Sequence, residues 1–142
     1  MAKSKPFSQA TMNAIKGRIE DRIAEELEDR LQFVANYALV VSPVDTGAYI
    51  ESFSIGRAGF GGGRSKKSDN KPKGANPDAI REVGRQNLYQ DIQGMNIKEM
   101  IASGNVKFTL RNRAPHARDV ENGESWQKDG YHVFAKIRRK FG

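Results

Sequence analysis

The stretch that decides the fold is residues 12–38, MNAIKGRIEDRIAEELEDRLQFVANYA. Met12, Ile15, Ile19, Ile23, Leu27, Leu31, Val34 and Ala38 recur every three or four residues, which draws one apolar stripe along a helical face. Glu20, Asp21, Glu25, Glu28 and Asp29 make the opposite face acidic and solvated. Ser8 is placed to cap the first turn, and Phe7 and Met12 stand where a hydrophobic staple puts its two members. A helix of about thirty residues is long for a small domain. It needs a sheet or a neighbouring subunit to pack against, because one small core cannot cover it.

Outward from that helix, Pro43 ends it, and Ser42-Pro43-Val44-Asp45-Thr46-Gly47 reads as a turn. Tyr49 to Gly56 reads as a short helical turn running into a strand that carries Phe53 and Ile55. Gly56 to Ala75 holds six glycines and six Lys/Arg around one large apolar residue, Phe60. Such a stretch cannot bury enough surface to offset its ordering entropy, so residues 57–77 are expected to form a mobile basic loop. Asn76-Pro77-Asp78 opens a second helix with Ile80, Val83, Asn87, Leu88 and Ile92 on one side, and Gly94 terminates it. Ile97 to Ser103 fits another helical turn. Val106, Phe108 and Leu110 alternate with Lys107, Thr109 and Arg111, the signature of a half-buried strand. Residues 114–123 suggest a turn and short helix. Tyr131 to Ile137 predicts a last strand, paired with 105–112. The expectation is one α+β domain over 1–142. Its long N-terminal amphipathic helix and second helix pack on a small antiparallel sheet, with a long basic Gly-rich loop and a basic tail at 136–142.

Composition limits the function classes. Hydrophobic residues make up 37% of the 142, against about 45–50% in ordinary domains, and mean hydropathy is −0.69. The chain can build one modest core. The formal charge of +7 invites a nucleic-acid reading, but it is unevenly placed. Residues 11–55 are net acidic and 76–127 balance, so the excess sits in 56–75, in 128–142 and at the N-terminus. Arg64, Lys66, Lys67, Arg138, Arg139 and Lys140 are therefore the candidates for phosphate or acidic-partner contact. The loop has no interleaved aromatics for base stacking. There are no cysteines, which removes disulfides, thiolate metal sites and cysteine nucleophiles. No apolar run is long enough to span a membrane, and no apolar segment follows the basic N-terminus as in a secretory signal.

Catalytic motifs fail on context. Asp45-Thr46-Gly47-Ala48 matches the signature of retroviral-type aspartic proteases, where two subunits share a proton between two aspartates. Here a long helix, not a strand, precedes it. Ile55-Gly56-Arg57 also lies too close to serve as the downstream element such a protease needs. The simpler reading is that Asp45 caps the next helical turn and Gly47 permits a tight approach. His116, with Asp119 and Glu121, lacks metal-ligand spacing, and His132 stands apart. Gly59 to Arg64 lacks the Gly-Lys-Ser/Thr ending of a phosphate loop. No enzyme, cofactor or metal is expected.

Two separated blocks do carry a resemblance. Ser42-Pro43-Val44-Asp45-Thr46-Gly47, then a short polar segment and a strand ending Ser54-Ile55-Gly56, resembles the Pro-Val-Asp-Thr-Gly block of tailed-bacteriophage neck and tail-completion proteins. Phe108 to Gly123, with Asn112, Pro115, Ala117, Val120, Glu121 and Gly123, resembles that family's strand-Asn-x-x-Pro-Tyr-Ala-x-x-Leu/Val-Glu-x-Gly stretch. His116 stands where tyrosine is usual, and Trp126 is displaced from its commonest place. Glu124 to Gly130 then resembles the family's tail of Trp, Gln and Gly before a final strand, so that the resemblance covers roughly 40–56 and 105–135, about a third of the chain. The resemblance implies a non-catalytic virion subunit, a neck, tail-completion or tail-terminator protein. Such a subunit forms a homo-oligomeric ring, commonly six-fold, at the head–tail junction after assembly in the host cytoplasm. It would touch the head connector or the tail tube, with no membrane, and its basic segments would make non-specific contact with passing DNA. Asp45, Thr46, Gly47, Asn112, Pro115, Glu121 and Gly123 would shape its turns and assembly surface. The rival expectation is a small basic nucleic-acid-binding module.

Overall fold

The computed structural model describes residues 8–44, 47–65, 76–123 and 130–142. It is an α+β chain in the order α1 (Gln9–Val40), α2 (Ala48–Glu51), β1 (Phe53–Arg57), α3 (Pro77–Gly94), α4 (Ile97–Ser103), β2 (Phe108–Asn112), α5 (Ala117–Asn122) and α6 (Val133–Phe141). α1 runs for 32 residues, or about 48 Å at helical rise. Ser8 caps it as expected, its hydroxyl accepting from the Thr11 amide at 3.1 Å. α3 starts with Pro77 in its first turn, and the Asn76 side chain accepts from the Asp78 amide. Gly104, at φ 79, closes α4 in the left-handed conformation.

β1 and β2 form a two-stranded antiparallel sheet, with Phe53 opposite Asn112 and Ile55 opposite Leu110. The strand expected at Tyr131–Ile137 is not formed. That segment enters α6 at Val133, and the supposed basic tail, 136–142, is its second half. The reason is physical. Val133 and Ile137 are one helical turn apart and both buried, so the run satisfies a helical face as well as an alternating one. Arg138, Arg139 and Lys140 then occupy the last turn, where the helix dipole favours cations.

The core is one cluster. The C-terminal part of α1 contributes Ala35, Ala38 and Leu39, α2 contributes Tyr49 and Ile50, and β1 contributes Phe53 and Ile55. Ile80, Leu88 and Ile92 of α3 close it on one side, and Val133 and Ile137 of α6 on another. α3 packs against α1, α2 and β1, and α6 against α1 and α5. One close approach sets this arrangement. A Cβ on Gly84 would lie 2.6 Å from Ile50 Cγ2 and 2.9 Å from Leu39 Cδ2. Alanine at this position gains about 1 kcal/mol of helix propensity, but overpacking a tight contact costs about 1–3 kcal/mol. Gly84→Ala is therefore expected to destabilise the fold in chemical denaturation, and a stabilised variant would refute the close-packing argument.

Candidate functional site

The two sequence blocks meet in space. Gly47 is buried and stands at the N-cap of α2 with φ 85, and its carbonyl accepts from the Glu51 amide at 2.9 Å. A left-handed backbone there favours glycine. Gly47 itself occupies the cap position, and it has no side chain to make a cap bond. Asp45 and Thr46 lie outside the described residues. From the second block, the Asn112 amide donates to the Tyr49 carbonyl at 2.7 Å. Its side-chain oxygen accepts from the Ala114 amide at 3.0 Å, which starts the turn through exposed Pro115. Asn112 therefore ties the end of β2 to the Tyr49 carbonyl of α2.

Glu121 has a sharper role than a surface pair with Arg118. Its carboxylate accepts from the Phe134 amide at 3.0 Å and the Ala135 amide at 3.1 Å, capping α6 from thirteen residues upstream. His132, the N-cap residue itself, makes no side-chain cap and sits at φ 51, so Glu121 supplies what it lacks. Tyr131 and His132 amides donate to the Val120 and Glu121 carbonyls, which fastens the same corner. Gly123, at φ 89 and ψ 165, occupies a region open essentially to glycine alone.

Between the blocks lies Tyr49. Its ring meets Phe53 edge-on at 5.1 Å and lies 6.4 Å from the His116 ring. The hydroxyl is buried and has no hydrogen-bond partner among the described residues. Burial, followed by the nearby Glu121 carboxylate, pushes the phenol far above its ordinary pKa. It stays protonated and cannot act as a base. Glu121→Ala is expected to cost about 1–2 kcal/mol through loss of the cap. Tyr49→Phe removes an unsatisfied buried group, so stability is expected to hold or rise by up to about 1 kcal/mol. Thermal and chemical denaturation of both variants check the pair.

The basic residues divide into two groups. Arg64, expected to face a partner, turns inward instead. Its guanidinium grips Asp91 with two bonds of 2.7 Å, and also reaches the Phe53 carbonyl at 3.0 Å and the Asn87 carbonyl at 3.1 Å. Asp91 meanwhile accepts from the Ile55 amide at 3.1 Å. Arg111 holds the preceding stretch, donating to the Phe60 and Gly62 carbonyls and lying 4.6 Å from the Phe60 ring centre. Residues 57–65 of the expected mobile loop are thus pinned to the rest of the fold, because Arg111 satisfies the Phe60 and Gly62 carbonyls and Arg64 anchors the far end on Asp91 and the Phe53 carbonyl. Lys66 and Lys67 lie outside the described residues. Arg138, Arg139 and Lys140 are exposed on α6. Asp91→Ala, which leaves Arg64 half-buried without its partner, is expected to cost about 1.5–3 kcal/mol. Loss of less than half that, measured by denaturation, would mean the clamp is ornamental.

The sequence reading overlooked Asp91. It shares the α3 face of Ile80, Gly84 and Leu88, and a carboxylate on a core-facing stripe signals that a cation must come to it. Arg111 carried no comparable signal, because its partners are backbone carbonyls.

The remaining surface feature is α1. Only its Ala35, Ala38 and Leu39 are fully buried. Met12, Ile15, Ile19 and Ile23 are 40–54% exposed, and Phe33 and Val40 exceed 60%. A shallow groove along this end is lined by Met12, Ile15, Ile19 and their polar neighbours. Among the described residues no group of three or more His, Asp or Glu is placed to hold a metal ion. No described helix is long and apolar enough to cross a membrane. No protein-family model, curated protein or solved structure matches the chain.

Proposed function

We propose that this chain is a structural subunit of a bacteriophage head–tail junction, a neck, tail-completion or tail-terminator protein that works by assembling into a ring. The observation that carries the reading is α1, a 32-residue helix with three fully buried residues and a long row of large apolar side chains left in solvent. An isolated subunit has no use for such a row, whereas an assembled one covers it against a neighbour or the tail. The resemblance of the two blocks supplies the particular assembly. Its support here is that Gly47, Asn112, Glu121 and Gly123 all serve backbone connections at one corner, which is the part of the subunit that must hold its shape.

In this reading the ring joins or caps the tail, commonly with six copies. Arg138, Arg139 and Lys140 offer sequence-neutral phosphate contact to DNA passing through the lumen. No reaction step is assigned. The exposed α6 cations equally favour the rival, a small nucleic-acid-binding module. Negative-stain imaging of the protein mixed with tail tubes is expected to reveal rings seated at one tube end and tubes arrested at fixed length. A protein that leaves the tubes bare but binds duplex DNA with a steep salt dependence would overturn the virion reading in favour of the rival.

A further inference from the structure

α1 carries a second apolar row of which the core uses only Tyr37. Positions 12, 16, 19, 23, 26, 30, 33, 37 and 40 step by alternating four and three residues, the heptad spacing of a coiled-coil seam. Met12, Ile19, Ile23, Phe33, Tyr37 and Val40 supply the apolar positions, and Lys16, Glu26 and Arg30 the charged ones. All nine are exposed except Tyr37, which is half-buried. Apart from Tyr37, which borders both rows, the core draws on Ala24, Leu27, Leu31, Val34, Ala35, Ala38 and Leu39. The two rows therefore lie on different sides of one helix, with periods near 3.5 for the outer row. A period that short keeps a row facing a single partner helix along its whole length.

We propose that the outer row is a two-fold contact between two copies of this chain, with α1 lying antiparallel on the α1 of the second copy. The charges choose both the partner and its direction. In an antiparallel pair each first-type position of the heptad faces a second-type position of the other helix. One register pairs every position of the row from Lys16 to Val40, leaving only Met12 beyond the overlap: Ile23 meets the partner's Phe33, Tyr37 meets the partner's Ile19, and Arg30 meets the partner's Glu26. The two-fold axis repeats each of these contacts. Lys16 falls opposite the partner's Val40 near the ends, where its stem packs and its ammonium reaches water. A parallel pair would set Lys16, Glu26 and Arg30 each against its own copy, three like-charge contacts in one seam.

The subunit leaves these charges available. Glu26 and Arg30 stand four residues apart, yet neither has an ion-pair partner among the described residues. Phe141 of α6 packs edge-on against Phe33 and Tyr37 at 5.9 and 5.6 Å, so the end of α6 flanks the row and widens the apolar face. A central Glu–Arg pair adds little net affinity but fixes register, as buried polar positions do in helical seams.

This contact goes beyond the ring. Neighbours around a polar head–tail axis meet head to tail, whereas this contact is isologous. It pairs free subunits, covers the row before assembly, and parts when the ring forms.

Sedimentation equilibrium of the full chain tests it. The wild type is expected to be a dimer in dilute solution. Glu26→Arg and Arg30→Glu, each of which places two like-charge contacts in the seam, are expected to raise the dissociation constant about tenfold or more. The double variant Glu26→Arg/Arg30→Glu restores the opposition and is expected to restore the dimer. Both positions are solvent-exposed, and circular dichroism of each variant confirms that the helix is intact. A wild type that is monomeric, or that forms only rings, overturns the pairing, as does a dimer indifferent to the single swaps or unrecovered in the double. Ring formation on tail tubes by variants that no longer dimerise would leave the ring reading standing, so the two failures are distinguishable.

Discussion

A sheet of two strands cannot stand unaided, and the rest of this molecule is arranged around that constraint. β2 covers one edge of β1. The other edge would present bare amides and carbonyls inside the domain, where each unpaired group costs free energy. Asp91 takes the Ile55 amide, and Arg64 takes the Phe53 carbonyl while neutralising Asp91. An ion pair thus does the work of a third strand. It also fixes where α3 lies, because Asp91 reaches β1 only if α3 comes close. That closeness is what leaves room for no side chain at Gly84.

The same economy governs the other corner. α6 begins at a residue that offers no cap, and Glu121 reaches across from α5 to supply one. Asn112 spans from β2 to α2 in a comparable way. Side chains at the ends of short elements do the joining that longer elements would do by packing. This is consistent with a chain whose apolar fraction is low and whose core is small. Asn112 and Glu121 each satisfy backbone groups in a different segment, so a replacement at either would have to meet the same geometry.

Much of the fold was legible in the sequence. Ser8 and the Asn76-Pro77 start mark helix ends through local chemistry, and α2, β1, α4, β2 and α5 all fall close to where periodicity and turn residues put them. α6 was misread because Val133, Phe134 and Ile137 fit two periods, and the choice was made by Glu121, a residue distant in the chain. The Gly-rich segment was misread in its first part for a related reason. Composition counts the glycines and cations of 57–65 but does not register that Asp91 and the Phe60 and Gly62 carbonyls receive two arginines there.

The sequence by itself determined the α+β class, the order and ends of most elements, and the presence of a helix too long for its core. Those features rest on hydrogen bonds and periodicities within a few residues, so local order is enough to specify them. Only the tertiary structure decided which side of α1 is buried and which is free. It also decided that β1, not the C-terminal segment, partners β2, and that Arg64 belongs to the interior. Each of those depends on which distant groups come within bonding distance, and that is set by packing the whole chain at once.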